Sequence, residues 1–399
     1  MSLDLTRIVV QIGNMVTALK AGSKQRKERL QHALDVLHGQ NDNIDHLIKK
    51  IAASKTTWLV AGLTEGFDKH YPTPDLPPEF TIIATDGSHI DVDRHQIIRC
   101  YLINIGSVML HYGAVPHASL ESIPHLYSTD EDLVIKPNGA KGREQPIEGT
   151  LLGIKRSVEE CQQLTDMAAS LPTDSPILAL VDGTLVLWGL EAYPEFISEE
   201  LLDKGFLKCL STMNQQVGNK KLALASYISF PRSTEVVNAL RVALCPYDVP
   251  NCDRYCPLNQ DNKCDAVKGI RDRELFTSIL GEGERSTIFF SQSSVVRKHY
   301  GENKIYFFYV RLKNEIARVE IPEWVALDEN RLNLAHSLVL DQCLRGQGYP
   351  VALSEAHEKA VVTGVDRDEF WHLVESFMVD EQLPSITSAK SQSKRTRWV

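Results

Sequence analysis

At 399 residues the chain is long enough to bury a large core and to build two or three structural units. Hydrophobic residues at 43% and charged residues at 24% give the ordinary balance of a soluble globular protein. A formal net charge of −9 argues against a nucleic-acid binder that uses its whole surface, but leaves room for a local basic groove. There is no apolar stretch of bilayer-crossing length, so no membrane association is expected. Met1-Ser2-Leu3-Asp4-Leu5 lacks the basic-then-apolar layout of a signal peptide, and Cys100, Cys161, Cys209 and Cys343 are scattered. A cytoplasmic location is therefore expected.

In chain order, residues from about Thr6 to Thr64 read as helical, with Leu30, Ala33, Leu34 and Leu37 at helical spacing. Lys20, Lys24, Arg26, Lys27 and Arg29 make this region basic, which suits a solvated helix face and, alternatively, nucleic-acid contact. The proline-rich connector Tyr71–Pro78 stops the helices. Strands are expected at Thr81–Ala84, Ile97–Ile105 and Ser107–Ala114, the last two joined through Gly106, and then a polar loop from His117 to about Arg143. A helix from about Ile147 to Leu171 precedes an Ile177 strand, a further helix and a Leu222–Ser229 strand. Ile305–Leu312 and Ile316–Ile321 read as a late strand pair, and Arg331–Leu344 and Leu353–Val362 as helices around Gly346-Gln347-Gly348-Tyr349-Pro350. This alternation predicts an α/β fold with a mixed sheet flanked by helices. The expected organisation is an N-terminal helical region over 1–75, a main domain over 76–385 and a basic tail over 386–399.

Two apolar runs, Thr81–Ala84 and Ile177–Val181, lead into Thr85-Asp86-Gly87-Ser88 and Asp182-Gly183-Thr184. Carboxylates at neighbouring strand-ends make an oxygen-donor site for a divalent cation, the geometry of metal-assisted phosphodiester chemistry. Asp-Gly junctions also arise for conformational reasons alone. On the helix between them, Leu151, Ile154, Val158, Cys161 and Ala168 form the buried stripe. Glu160 lies beside that stripe and Glu159 points further toward solvent, so Glu160 is the candidate third carboxylate and Glu159 its competitor. His357 could ligate metal or move a proton if it faces the carboxylates. Arg232 follows a strand, where a guanidinium could meet a phosphate. Arg318 and Glu320 share a strand face and could pair.

Cys245, Cys252, Cys256 and Cys264 fall in one proline-interrupted stretch, 245–264, with the spacing C-x6-C-x3-C-x7-C. Four thiols so close match a tetrahedral zinc site or an iron–sulfur cluster, structural in either case.

Taken in order, these pieces resemble the NurA nuclease family. The matching residues are Thr85-Asp86-Gly87-Ser88, the Arg156/Glu160 helix, Leu180–Leu185, Ser226–Ser233, Ala317–Pro322, and Gly348-Tyr349-Pro350 leading into Glu355-Ala356-His357. The resemblance spans about Phe80 to Val362. It implies a ribonuclease H-like core and manganese-dependent (or magnesium-dependent) cleavage of DNA in the end processing of double-strand breaks. It also implies a homodimer working with a HerA-type hexameric ATPase. By position, Asp86, Asp182 and Glu160 would be metal ligands and His357 the remaining catalytic group. Arg232, Arg318 and the tail residues Lys394, Arg395 and Arg397 are the candidate DNA contacts. The four-cysteine insert is not part of the minimal family pattern. Two other readings compete: a DNA- or ATPase-clamping scaffold, and a phosphohydrolase of small esters. The second is weakened because such enzymes commonly carry a second carboxylate two residues after the nucleophile, where this chain has Ser88 and Thr184.

Overall fold

A computed structural model describes residues 4–40, 43–93, 98–137, 139, 143–172, 175–216, 220–256 and 262–383. The chain divides into two compact units. One comprises Met1–Thr73, Ile228–Ser294 and Tyr306–Val319; the other comprises Pro74–Tyr227, Val295–Ile305 and Glu320–Val399. The N-terminal helices share their unit with two segments far along the chain.

In that first unit, Asp4 caps a helix over Leu5–Gly39 by accepting hydrogen bonds from the Thr6 and Arg7 amides. A second helix spans Ile44–Ala53. Leu37, Leu47 and Ile51 pack with Val237, Leu240, Phe276, Phe289 and Phe307 into one core. The helical reading of residues 6–64 fails at its end: Ala61–Leu63 is a strand, paired antiparallel with Phe289–Ser291. Gly62 belongs there because the Phe290 ring lies directly over its backbone, where any Cβ would collide.

The second unit is built on a mixed sheet. Its strand order is His117–Tyr127, Tyr101–Tyr112, Phe80–Ile90, Ile177–Asp182, Leu222–Ile228. Among the first three, neighbours run antiparallel to one another, and the last two continue parallel to Phe80–Ile90. Helices Thr150–Ser170, Glu329–Arg345, Val351–Ala360 and Gly364–Asp380 belong to the same unit. Three expectations are corrected here. Tyr101–Tyr112 is one strand running straight through Gly106, not two joined there; the expected start at Ile97 lies outside the described residues. The polar loop from His117 is a strand to Tyr127, exposed or half-exposed along its length, so no apolar alternation marks it. The Gly364–Asp380 helix went unanticipated; Thr363 and Asp366 start it with a reciprocal capping box. Among the described residues no helix is long and apolar enough to cross a membrane.

Candidate active site

Asp86 and Asp182 stand on adjacent parallel strands. The register pairs Thr85 with Val181, which brings the two aspartates to the same level. They arrive there differently. Asp86 is not at a strand end: its strand continues to Ile90, and Asp86 pairs with Gly106 of the neighbouring strand. Gly87 does not turn the chain. It is small because the Glu160 helix crosses close by: a Cβ at position 87 would lie 2.5 Å from Glu160 Oε1 and 2.9 Å from Arg156 Cγ. Asp182 does end its strand, and Gly183, at φ +83°, makes the turn. The Gly183 amide donates to the Tyr227 carbonyl at 3.0 Å, which fixes that turn.

The helix Thr150–Ser170 gives its two adjacent glutamates different surroundings. Glu160 is buried at 6% exposure, and its backbone carbonyl accepts from the Thr85 hydroxyl at 3.0 Å. Glu159 looks elsewhere, accepting from the Tyr127 hydroxyl at 2.7 Å and pairing with Lys155 at 3.0 Å. Burial, opposed by Arg156 and helped by Asp86 and Asp182, pushes the Glu160 carboxyl up to about 8. Arg156 Nε sits 2.9 Å from Glu160 Oε1, at ion-pair distance, though neither atom is in an aligned hydrogen bond. Asp182 is likewise raised, by loss of surrounding water and then by Asp86, against the hydrogen bond from Tyr349. Three carboxylates therefore press negative charge on one another.

His357 reaches this cluster. Its Nδ1 is 2.7 Å from Asp86 Oδ2. Gly106 makes that approach possible: the Val351–Ala360 helix lies so close that a Cβ there would strike the Ala356 carbonyl. Ser88 and Asn104 tie the same helix end, both donating to the Ala360 carbonyl, at 2.5 and 2.9 Å. An ionised carboxylate only accepts, so Nδ1 donates to Asp86 and the neutral ring keeps its lone pair on Nε2.

Sequence reasoning missed two members of the site. The Tyr349 hydroxyl donates to Asp182 Oδ1 at 2.9 Å, and its ring packs edge-on against Tyr227 at 5.4 Å. Burial and Asp182 raise its pKa, so the phenol stays protonated as a donor. Glu320, almost fully buried, accepts from the Thr184 hydroxyl at 2.8 Å and the Leu185 amide at 2.9 Å, bracing the loop after Asp182. The signal for Tyr349 lay in Gly348-Tyr349-Pro350, but its partner is 167 residues away in sequence.

The expected DNA-contact arginines separate. Arg318 is 4% exposed, donates to Glu235 Oε1 at 2.6 Å and sits 3.6 Å from the Phe307 ring centre. A guanidinium so enclosed cannot meet a phosphate backbone, so that expectation is withdrawn. Arg232 is exposed. Beside it, Phe230 is 59% exposed and held at φ +50°, a left-handed conformation unusual for a bulky residue. Arg273 lies 4.1 Å from the Phe230 ring centre. Burial and the nearby Arg271, Arg232 and Arg26 lower the Arg273 pKa, the mark of a crowded basic patch. In the N-terminal basic run, Arg26 is tied to Glu274 at 2.5 Å and Arg29 to the Lys268 carbonyl at 3.2 Å. Lys394, Arg395 and Arg397 lie outside the described residues.

Among the described residues no three His, Cys, Asp or Glu side chains are already gathered tightly enough to form a ready-made cation cage. The donor set still fits a hard divalent ion. It offers oxygen ligands from three segments whose like charges a cation would neutralise, one of them buried beyond the reach of water.

The family model for the NurA domain matches residues 80–362. A solved structure described as NurA with manganese is 12% identical, with a TM-score of 0.36, and the match covers 88% of this chain and 96% of that one. An Argonaute from Aquifex aeolicus matches at 10% identity and a TM-score of 0.25, over 72% of this chain and 28% of that one. No curated protein matches.

Proposed function

The chain belongs to the NurA family, and from that premise we propose that it is a divalent-metal-dependent nuclease acting on DNA. Family membership fits a nuclease role. The observation that carries the finer reading is the convergence of Asp86, Asp182 and Glu160, with His357 hydrogen-bonded to the first and Tyr349 to the second. The strand order third, second, first, fourth, fifth, with the last two parallel to the first, supports reading the core as ribonuclease H-like.

Asp86, Asp182 and Glu160 would hold the ion, for which manganese or magnesium suits the oxygen donors. When bound, it supplies charge neutralisation at the phosphate and a more acidic water. This chain's residues do the remaining work. Tyr349 fixes the Asp182 carboxylate through a hydrogen bond to Oδ1. Asp86 orients His357, whose Nε2 can take a proton from the attacking water or return one to the leaving oxygen. Arg156 offsets the charge of Glu160 in a site where three carboxylates would otherwise repel. Phe230 offers a face for base stacking, with Arg232 and Arg273 beside it for phosphate.

The proposal extends to DNA end processing in double-strand break repair, a cytoplasmic setting, a homodimer and a HerA-type hexameric ATPase partner. Support for a protein interface comes from the first helix, where Leu5, Val9, Val10, Ile12, Met15 and Leu19 are all exposed. The test is cleavage of end-labelled single- and double-stranded DNA with manganese, with magnesium and with chelator. Metal-dependent shortening by wild type, absent from folded Asp86→Ala, is expected. Equal cleavage by that variant would remove the metal-site assignment. No cleavage by wild type, alone or with a cognate ATPase, would favour the scaffold reading.

A further inference from the structure

Cys245, Cys252, Cys256 and Cys264 come from separate pieces of chain. Cys245 follows the Glu235–Leu244 helix, Cys252 opens the single turn Cys252–Tyr255, Cys256 closes it, and Cys264 lies in the short turn Lys263–Val267. All four line one enclosed cavity of about 10 Å³, together with Trp58 and Arg241, and none is in a disulfide. Little else holds this stretch. Between Cys245 and Cys264, Pro250 and Cys264 are the buried positions among the described residues. The stretch is nevertheless pinned in place: the Lys55 amide donates to the Pro250 carbonyl at 2.8 Å and the Cys252 amide to the Lys55 carbonyl at 3.0 Å. A thin apolar core that keeps its shape needs another cross-link.

Two cationic side chains are held against the backbone beside these cysteines. The Lys50 ammonium donates to the Cys245 carbonyl at 2.6 Å, and Arg241 Nε donates to the Cys264 carbonyl at 3.2 Å while stacking 4.2 Å from the Trp58 ring centre. Each cation is anchored on the backbone of a cysteine rather than free in solvent. A bound cation would draw the four sulfurs together.

We propose that Cys245, Cys252, Cys256 and Cys264 form a structural site for a single zinc ion, which staples the turns that carry them to one another within the first unit. All four donors are thiols, the set that zinc takes in closed tetrahedral sites. Four thiolates and no open position make it a structural rather than a catalytic centre. Binding displaces a thiol proton from each protonated cysteine and leaves the sulfurs reduced.

The test uses the full-length protein, prepared anaerobically from zinc-supplied cells. It is analysed for zinc, iron and acid-labile sulfide, then titrated with a mercurial while an indicator follows zinc release. The expected result is about one zinc per chain, freed as the thiols are modified. Zinc should fall at least about tenfold in Cys252→Ser/Cys256→Ser and persist in Cys100→Ala. A mercurial attacks thiolates and not carboxylates, so zinc at Asp86 and Asp182 would not register, and the outcome is independent of the nuclease reading. Should the double variant fail to fold, the wild-type stoichiometry and its release by mercurial still decide. Folded wild type with no thiol-held zinc overturns the proposal, as does one holding iron and sulfide in about equal amounts.

Discussion

Tyr349 is the residue whose importance is easiest to isolate. Its hydroxyl meets Asp182 while its ring is held by Tyr227, so Tyr349→Phe removes one hydrogen bond and little packing. Loss of such a bond to a charged group is worth roughly 1.5–3 kcal/mol, so turnover should fall about 10- to 100-fold with the melting temperature nearly unchanged. Unchanged turnover would mean that Tyr349 only packs. His357 answers a different measurement. His357→Ala should lower kcat by roughly 10²–10⁴ and remove one limb of the pH–rate profile, whereas a merely structural histidine would leave the profile's shape intact. A third residue concerns stability alone. Asp272 is fully buried in the first unit, where it accepts from the Val236 and Val237 amides and the Tyr309 hydroxyl. Burial raises its pKa above the ordinary 3.8 despite those donors. The folded state therefore holds this proton more tightly than the unfolded chain. Its stabilising contribution is full at pH below 3.8 and is lost as pH rises through the raised value. Urea unfolding should find that the deficit of Asp272→Asn relative to wild type shrinks as pH climbs from about 4. A deficit that grows with pH would reverse the assignment.

At the scale of elements, glycines set how closely helices approach the sheet. Gly106 lets the Val351–Ala360 helix rest on its strand, and through that contact His357 meets Asp86. Gly106→Ala should cost about 1–3 kcal/mol in stability and impair cleavage by more than the lost stability explains. Retained activity at normal stability would show that the helix can shift without cost. The loop carrying Phe230 gives a second check. Phe230→Ala should weaken single-stranded DNA binding by about 1–3 kcal/mol while leaving cleavage at saturating DNA largely intact. What the sequence made legible follows the same geometry. The Asp86 and Asp182 strands were visible because their apolar runs are buried on both faces. The His117–Tyr127 strand was not, because its residues are exposed or half-exposed almost throughout. Helical spacing put Glu160 beside the buried stripe and Glu159 further toward solvent, but could not show which strand side chains each one meets. Arg318 misled for the reverse reason: nothing in a single sequence tells a buried, paired arginine from a surface one.

At the scale of the whole molecule, the proposed nuclease activity sets an acidic chain against a polyanionic substrate. With a net charge of −9, attraction to DNA must come from local basic patches such as Arg232, Arg271 and Arg273. Affinity should therefore fall steeply with salt, and Arg232→Ala should lessen the slope by about one counterion. A salt-independent affinity would argue against this contact. The central claim is that Asp86, Asp182 and Glu160 together make the cation site. It is tested most directly by titrating the protein with manganese and following the free ion by electron paramagnetic resonance, comparing wild type with folded Asp86→Ala and Asp182→Ala. The account predicts saturable binding by wild type that weakens at least about tenfold in each variant. Equal binding by all three would contradict it.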